Sequence, residues 1–292
     1  MTSQIPATTT SNQPYPMTQN LSSPGTYPRV ASASAASVAP ERVQAGDIWQ
    51  LGEHRLLCGD CTDRAAVARL MLPGEEADLL LTDPPYGVQL GASRKRGQRP
   101  VLMEGDALGE HGTYELLLRA LRAAPLRQGG AFYVFSPAGN NETVFRLALR
   151  DAGLLLRQSL VWAKHHFTLS RQDYQWKHEC ILYGWKPGAP HWFGGGRTQT
   201  TLWEIPRPTL SVGHPTMKPL EIARRAIENS SRLGEIVYDC FGGSGSTLLA
   251  CEATGRPCRM LEIEPCYCDL ILSRWETATG RQPERLKPNG EL

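Results

Sequence analysis

The sequence has 292 residues, of which 41% are hydrophobic and 21% charged, proportions typical of a soluble globular protein with one substantial core. Its formal net charge is only +2, so charge alone does not indicate a nucleic-acid-binding protein, and such a surface must come from local clusters of Lys and Arg. We find no secretory signal and no apolar run long enough to span a bilayer. This excludes the membrane class and predicts a cytoplasmic protein with reduced thiols.

The two ends of the chain are predicted to differ from its centre. Residues 1–43 consist mainly of Ser, Thr, Ala, Pro and Gln, with few charged or bulky apolar side chains. Such a segment cannot bury enough surface to offset the entropy of ordering. We therefore predict a disordered tail over 1–43, one folded domain over 44–282 and a flexible C-terminus over 283–292.

The folded domain begins with short elements. Two strands, Asp47–Leu51 and His54–Cys58, are predicted around a turn. A helix follows over Arg64–Met71, and Asp63 is its expected N-cap. The run Ala77–Asp83 is largely apolar, which is typical of a parallel strand covered on both faces.

Helices and strands then alternate to the end of the domain. The predicted helices are Tyr114–Ala124, Glu142–Ala152, Pro219–Ser231, Ser246–Thr254 and Pro265–Thr279, and the predicted strands are Ala131–Phe135, Leu154–Ala163, Glu179–Trp185, Glu235–Cys240 and Cys258–Ile263. This alternation predicts a mainly parallel sheet with helices on both faces. The connection between residues 163 and 179 lacks helical periodicity, so the two strands beside it can also pair antiparallel.

A glycine-rich turn runs from Asp239 to Thr247, between a predicted strand and helix, and reads Asp-Cys-Phe-Gly-Gly-Ser-Gly-Ser-Thr. Glycines let the backbone approach a ligand, and the helix N-terminus offers free N–H groups. The turn lacks both the Lys of a P-loop and the third Gly of a dinucleotide fingerprint. Glu262 ends the next strand, where a carboxylate can hold ribose hydroxyls. The alternative is a tight turn without a ligand.

The second motif is Asp83-Pro84-Pro85-Tyr86, at the end of the buried strand. Two prolines remove two N–H donors, so the backbone presents carbonyl oxygens beside a carboxylate. An exocyclic NH2 group can donate to Asp83 and to the Pro84 carbonyl, while Tyr86 offers a face for base stacking. The alternative is a Pro-Pro turn that only ends the strand, with Tyr86 packed against the core.

Eight cysteines raise the question of a metal site. Cys58 and Cys61 have the spacing of half a zinc site, but no second pair of ligands stands at a matching spacing. We therefore predict no metal, and we interpret the remaining thiols as small hydrophobic side chains.

In combination, the two motifs resemble the permuted β-type group of DNA amino-methyltransferases, in which the catalytic half precedes the cofactor half. The similarity extends from Gly46 to Gly280. It implies an α/β, Rossmann-like S-adenosylmethionine-dependent methyltransferase fold, with a mostly parallel sheet of seven strands, the last antiparallel, and helices on both faces. Cys240 departs from the pattern, since many relatives have Pro there.

The resemblance also implies an activity, a cofactor and a partner. The cofactor is S-adenosyl-L-methionine, the partner is double-stranded DNA, and the methyl group goes to N6 of adenine by direct displacement on a flipped base. Asp at the first motif position is associated with adenine N6 and Ser with cytosine N4, which remains the alternative. Monomer and homodimer both remain open.

The resemblance implies site residues by position. Gly59-Asp60-Cys61 resembles the turn that meets the cofactor's adenine, Glu262 falls at the ribose-binding acid, and residues 214–219 resemble the segment near the cofactor's methionine. The catalytic residues so implied are Asp83, Pro84, Pro85 and Tyr86, and the cofactor-binding residues are Asp60, Cys61, Pro215, Thr216, Lys218, Asp239, Phe241, Gly242, Gly243, Ser244, Gly245, Ser246, Thr247 and Glu262.

Contacts with DNA are predicted beside the Asp-Pro-Pro-Tyr motif. The segment 88–110 is predicted to contact DNA, because its part Gly91–Arg99 has four basic residues in nine with Gly and Ser between them. This suits a mobile arm that binds phosphate, although a solvated surface loop is the alternative. The segment 187–213 is the only room for a small target-recognition element. The predicted DNA-binding residues are Arg94, Lys95, Arg96, Arg99, Lys164 and Arg171.

Some residues and some rival functions stay open. His165, His166 and His178 are most often structural groups in such positions, and Glu179 is most often a partner of neighbouring basic residues, although a place near the target base is possible. Methyltransferases of protein glutamine or RNA guanine share a Pro-Pro-Tyr site, but they usually begin with Asn and place the cofactor motif first. A non-catalytic DNA-binding regulator is disfavoured by the intact motifs.

Overall fold

Strand and helix follow the hydrophobic pattern closely in the computed structural model of the chain. The structure describes residues 42–87, 108–169, 172–206 and 218–287. Its strands are β1 Ile48–Leu51, β2 His54–Cys58, β3 Ala77–Thr82, β4 Leu126–Ser136, β5 Leu155–Thr168, β6 Trp176–Trp185, β7 Leu202–Glu204, β8 Val237–Asp239, β9 Cys258–Glu262 and β10 Glu284–Arg285. Its helices are α1 Arg64–Leu70, α2 Gly109–Ala123, α3 Glu142–Asp151, α4 Leu220–Ser230, α5 Ser246–Thr254 and α6 Pro265–Thr279.

These strands form one sheet in the order β10-β1-β2-β9-β8-β3-β4-β6-β5-β7. From β2 to β4 every neighbouring pair is parallel, whereas β6 runs antiparallel to both β4 and β5. The central part from β2 to β5 is therefore the expected seven-stranded, mostly parallel sheet. Its reversed strand, β6, lies between β4 and β5, and the short strands β1, β10 and β7 extend the two edges.

Apolar residues of the central strands point alternately to the two faces of the sheet. Along β3, Leu79 and Leu81 pack into one buried cluster with residues of α4, α5 and α6, and Leu80 packs into the other with residues of α1, α2 and α3. All three leucines are 1% exposed or less. Burial on both faces explains why β3 reads as a continuous apolar run rather than an alternating one.

The antiparallel pair β5 and β6 is longer than the sequence predicted. Its register places Trp162 opposite Glu179 and Ala163 opposite His178, so the additional residues lie at the end of the sheet where β3 and β4 finish. Polar and basic side chains such as Lys164 do not show the period of a half-buried strand, and the prediction stopped short for that reason.

Both predicted boundaries of the folded domain need correction. Arg42 stacks on Trp49 and pairs with Glu276, and Val43 is 1% exposed, so order begins before residue 44. At the other end, Leu286 is 6% exposed, and its N–H donates to the Ile48 carbonyl beside the β1–β10 pair. A strand of two residues carries no periodicity, which is why the sequence did not reveal β10. Residues 1–41 and 288–292 lie outside the described part.

The described portion of segment 187–213 contains β7, which pairs in parallel with β5. Trp203 of β7 is 2% exposed and belongs to the core, so this aromatic side chain stabilises the sheet edge rather than facing a target. None of the helices in the described ranges combines the length and apolar character that a membrane span requires.

Candidate active site

The Asp-Pro-Pro-Tyr segment leaves the sheet at the carboxyl end of β3. Tyr86 Oη lies 3.2 Å from Asp83 Oδ1, and its ring contacts Phe145 edge-on, with centroids 5.9 Å apart. The next residue, Gly87, has a φ of +64°, and a Cβ at this position would collide with Thr113 Oγ1 of α2. The segment therefore turns sharply, and both Asp83 and Tyr86 lie just beyond the carboxyl end of β3.

Lys218 reaches this segment from the residues that precede α4. Its Nζ donates to Asp83 Oδ2 at 2.6 Å and lies 3.5 Å from Tyr86 Oη. It also lies 5.5 Å from the centroid of the Tyr86 ring and 5.0 Å from that of Phe135. The Lys218 side chain is only 12% exposed, so this ammonium group is held inside the site.

Glu179 connects Lys218 to a second lysine. Its Oε2 lies 3.0 Å from Lys218 Nζ and accepts a hydrogen bond from Tyr86 Oη at 3.1 Å, while its Oε1 lies 2.6 Å from Lys164 Nζ. Lys164 stands on β5, two residues beyond the partner of Glu179 in the register, so the two side chains are diagonal neighbours. We call Asp83, Tyr86, Lys164, Glu179 and Lys218 the charged cluster.

The charges in this cluster support one another. Burial raises the pKa of Asp83, and so does Glu179, while Lys218 lowers it; the net effect is a raised pKa. Burial lowers the pKa of Lys218, but Asp83 and Glu179 outweigh it, so that pKa is raised. Burial raises the pKa of Glu179, but Lys218 and Lys164 lower it to about 2. Lys218 and Glu179 are therefore charged at neutral pH.

The glycine-rich turn follows β8 at the same end of the sheet. Gly245 precedes α5 with a φ of +77°, and a Cβ there would lie 3.0 Å from Ile271 Cγ1, so the turn depends on glycine. Glu262, at the end of β9, accepts hydrogen bonds from the Gly243 N–H at 2.6 Å and the Glu264 N–H at 3.0 Å. Its carboxylate is thereby held against the turn, as expected for a group that meets a ligand there.

Asp239 joins the turn to the catalytic strand. Its Oδ1 accepts hydrogen bonds from Thr82 Oγ1 at 2.8 Å and from the Phe241 N–H at 3.1 Å. Burial raises the pKa of Asp239 to about 7, although hydrogen bonds from Thr247, Thr82 and Phe241 lower it. Thr82 is the last residue of β3, so one hydroxyl links the two motifs directly.

The structure also shows the contacts of two further residues, Asp60 and Cys240. Asp60 accepts hydrogen bonds from the N–H and the hydroxyl of Thr62, which fixes the turn after β2. Cys240, the departure from the family pattern, is 2% exposed. Its Sγ lies 3.4 Å from Thr82 Oγ1 and contacts the thiol of Cys61. Cys240 thus fills a buried position where proline would present no polar atom.

The cysteines pack among themselves in the core. Cys58 contacts Cys268, and Cys251 contacts Cys258; of the eight cysteines only Cys266 is exposed. Within residues 42–87, 108–169, 172–206 and 218–287, the structure groups no three His, Cys, Asp or Glu side chains in a way that could hold a metal ion.

The structure shows contacts that the sequence did not predict for two of the predicted site residues, Lys218 and Lys164. Lys218, predicted beside the cofactor, places its ammonium group on Asp83, while its carbonyl accepts a hydrogen bond from Ser246 of α5 at 3.3 Å. Lys164, predicted to contact DNA, is 10% exposed and forms an ion pair with Glu179. The predicted residues outside the described ranges are Arg94, Lys95, Arg96, Arg99, Arg171, Pro215 and Thr216.

Two residues were missed or underestimated. Glu179 was expected to pair with neighbouring basic residues, and it does, but one of them comes from before α4. Ser136, at the end of β4, is fully buried, and its hydroxyl has no hydrogen-bond partner in the part of the chain that the structure describes. A lone Ser at a strand end carries no signal in the sequence that would have identified it.

Comparison with known proteins decides the family. The profile of the DNA methylase family, which covers the N6 and N4 enzymes, matches residues 77–273, more than half of the chain. The chain belongs to the DNA methylase family. The match contains both motifs of this DNA methylase and the whole charged cluster, and it confirms the resemblance on which the sequence analysis relied.

Individual relatives of this DNA methylase are distant. The DNA adenine methyltransferase YhdJ of Escherichia coli (strain K12) is 24% identical over an alignment of 248 residues that covers 74% of this chain and 81% of that protein. The crystal structure of the M1.HpyAVI–SAM complex matches with a TM-score of 0.56 and 21% identity, over 75% of this chain and 98% of that one. The cytosine-N4-specific PvuII DNA methyltransferase matches with a TM-score of 0.58 and 17% identity, over 76% and 88%. The two structures confirm the fold.

Proposed function

We propose that this DNA methylase transfers the methyl group of S-adenosylmethionine to the N6 amino group of adenine in double-stranded DNA. The observation that carries the proposal is the hydrogen bond from Thr82 to Asp239. Thr82 directly precedes the acceptor-rich Asp-Pro-Pro-Tyr segment, and Asp239 begins the glycine-rich turn. The bond therefore holds the groups proposed for the base and for the cofactor side by side at the carboxyl ends of β3 and β8. A cytoplasmic location is part of the proposal.

The residues present fit the cofactor. The carboxylate of Glu262 accepts the Gly243 and Glu264 N–H groups on separate oxygens. A carboxylate has about four acceptor sites, so acceptor capacity remains for a ribose hydroxyl. At Gly242 a Cβ would lie 2.9 Å from Met260 Cγ, so the turn tolerates no side chain there. We assign Asp60 to the adenine end, with Pro215 and Thr216 added from the sequence alone. When bound, S-adenosylmethionine supplies an electrophilic methyl group on a sulfonium.

The Asp-Pro-Pro-Tyr segment is proposed to hold the target base after it leaves the duplex. Asp83 and the carbonyl of Pro84 accept the two hydrogens of the amino group. Positive charge would develop on that nitrogen as it bonds to the methyl carbon and the carbon–sulfur bond breaks, and the Asp83 carboxylate would stabilise this charge because it is fixed in place and partly shielded from water. The methylated amine would then lose one proton to solvent. Orientation of the nitrogen towards the glycine-rich turn accounts for the remaining assistance.

Adenine is proposed as the target because Asp stands at the first motif position and because a relative is an adenine methyltransferase. Cytosine N4 is the second candidate, since a cytosine-N4-specific enzyme shares the fold. The choice between them depends on the shape of the base pocket around Tyr86.

Nucleoside analysis tests the proposal. Plasmid DNA from a host without DNA methylation is incubated with the protein and S-adenosylmethionine, digested to nucleosides and analysed by mass spectrometry, with the Asp83→Ala variant as the control. N6-methyladenine is expected with the unaltered protein alone. N4-methylcytosine would support the second candidate, and the absence of both modified nucleosides would contradict the proposed function.

A further inference from the structure

Two of the three contacts proposed for the target base, Asp83 and the Tyr86 ring but not the Pro84 carbonyl, are taken by Lys218 in the structure. Its ammonium group donates to Asp83 at 2.6 Å, which is the contact proposed for the base amine. It also lies over the Tyr86 ring, 5.5 Å from the centroid, on a face proposed for stacking. A base that approaches Asp83 must therefore displace this ammonium group.

A second acceptor for the displaced group is already in place. Glu179 Oε2 lies 3.0 Å from Lys218 Nζ, and the other oxygen of Glu179 is held by Lys164 at 2.6 Å. The cluster contains two carboxylates and two ammonium groups, so its charges balance while Lys218 moves between Asp83 and Glu179. An ammonium group left without a carboxylate in this enclosed place would be strongly disfavoured.

Only the side chain of Lys218 needs to move. Its carbonyl accepts a hydrogen bond from Ser246 at the start of α5, and Pro219, which follows it, restricts the backbone. The Lys side chain has four rotatable bonds, and a small rotation shifts an ammonium group from one of two neighbouring carboxylates to the other.

We propose that Lys218 occupies the place of the target amine in the base-free enzyme, and that Glu179 is the positioning residue that receives its ammonium group when the base arrives. The inference rests on the proposed function and adds to it a displacement step. Tyr86 takes part as well, because its single hydroxyl proton serves either Asp83 or Glu179.

Glu179→Gln tests the receiving role. Without the second carboxylate, Lys218 stays on Asp83 and competes with the base, so KM for unmethylated plasmid DNA should rise on the order of tenfold, as expected for one charge-assisted hydrogen bond. The kcat should change little, and calorimetry should show unchanged binding of S-adenosylhomocysteine. The matched control is Glu76→Gln, which removes an exposed carboxylate just before β3, at the opposite end of that strand from Asp83, and should leave both constants unchanged.

A double-mutant cycle separates this role from a structural one. In a Lys218→Gln background no ammonium group remains to be received, so Glu179→Gln should not raise KM for DNA further. Additive effects of the two substitutions would overturn the proposal. A Glu179→Gln variant with the KM of the unaltered protein would overturn it too, whereas an unaltered protein that transfers no methyl group would instead contradict the proposed function.

The pH profile of kcat/KM gives an independent reading. The groups of the described chain that face Asp83 are Tyr86, Glu179, Lys218 and Asp239. Glu179 raises the pKa of Asp83 and Lys218 lowers it, so the acidic limb should move to lower pH in Glu179→Gln and to higher pH in Lys218→Gln. Equal shifts in the same direction would contradict the arrangement.

Discussion

Asp83 must remain an anion in an enclosed place, and its neighbours determine whether it can. Burial raises its pKa and Lys218 opposes that rise, so the lysine favours the ionised form of the carboxylate. Tyr86 donates to the same carboxylate or to Glu179. The reactivity of the tetrapeptide thus depends on residues that do not belong to it.

Asp83→Ala should abolish methyl transfer and leave cofactor binding intact, because Asp83 contacts the charged cluster while Glu262 contacts the glycine-rich turn. Tritiated methyl transfer to DNA and calorimetry with S-adenosylhomocysteine measure the two properties. If the variant lost cofactor affinity together with activity, the assignment of Asp83 to the target base rather than to the cofactor would be wrong.

Asp239 should make stability depend on pH. Its folded pKa of about 7 lies above the ordinary value of 3.8, so the native state binds the proton more tightly than the unfolded chain. Its contribution therefore becomes unfavourable as pH rises from about 4 to 7, by on the order of a few kcal/mol. Asp239→Asn should remove this loss of stability between about pH 4 and 7. Denaturant unfolding at several pH values measures it, and parallel profiles for both proteins would refute the assignment.

Gly87→Ala should destabilise the protein more than Gly74→Ala. Both glycines have positive φ angles, +64° and +80°, but only at Gly87 would a Cβ collide with Thr113; at Gly74 nothing lies within 4 Å. The control therefore carries only the backbone strain of about 1 kcal/mol, and Gly87→Ala adds a clash beside Tyr86. Unfolding free energies and kcat should separate the two variants, and equal losses would argue against a tight exit from the tetrapeptide.

Among the elements, the β5–β6 pair contributes most to the site beyond the two motifs. Its extended register carries Lys164 and Glu179 to the carboxyl end of the neighbouring parallel strands. Because β6 runs against β4, its beginning rather than its end meets Asp83. Glu179 thus reaches the site from the beginning of its strand, whereas Asp83 and Glu262 lie at the ends of β3 and β9.

Removal of residues 283–292 should lower the melting temperature. The deletion removes β10, the buried Leu286 and the ion pair between Arg285 and Asp47. Loss of one buried leucine costs about 2 kcal/mol, or roughly 5 °C for a domain of this size. Deletion of 288–292 alone is the control and retains all three features. Equal melting temperatures for the two deletions would show that β10 contributes nothing.

At the scale of the whole molecule, a net charge of only +2 means that attraction to DNA depends on local clusters. Much of the basic charge near the site is already used, since Lys164 and Lys218 neutralise Asp83 and Glu179. We therefore expect phosphate contacts to come mainly from other cations, such as Arg94, Lys95 and Arg96 in the segment 88–110.

Replacement of Arg94, Lys95 and Arg96 by Ala should weaken binding to all DNA sequences alike. If each side chain contacts a phosphate, the slope of log affinity against log salt should become shallower by about 0.9 per contact. Fluorescence anisotropy at several salt concentrations measures the slope, and long-read mapping reports the methylated context. An unchanged slope with a changed context would make this segment a recognition element instead.

The sequence by itself determined the parts of this protein that depend on neighbours in the chain. The apolar run before Asp83 and the glycines before α5 predicted a buried parallel strand and a ligand-binding turn, and both motifs fall at the same end of the sheet. Hydrophobic period and turn chemistry are local properties, so they can be read from a single chain. The family and the fold class follow from the same motifs.

Only the tertiary structure decided which charges meet. Lys218 and Asp83 are 135 residues apart, and Tyr86 and Glu179 are 93 apart; no local pattern encodes either contact. The ion pairs of Lys218 with Asp83 and of Lys164 with Glu179 could not be predicted from sequence, because the partner of a lysine is not encoded in its neighbours along the chain. The partner is set by strand order and by the register of β5 and β6, which depend on packing across the whole sheet. The short edge strands β7 and β10 also form only because a neighbouring strand offers them hydrogen bonds.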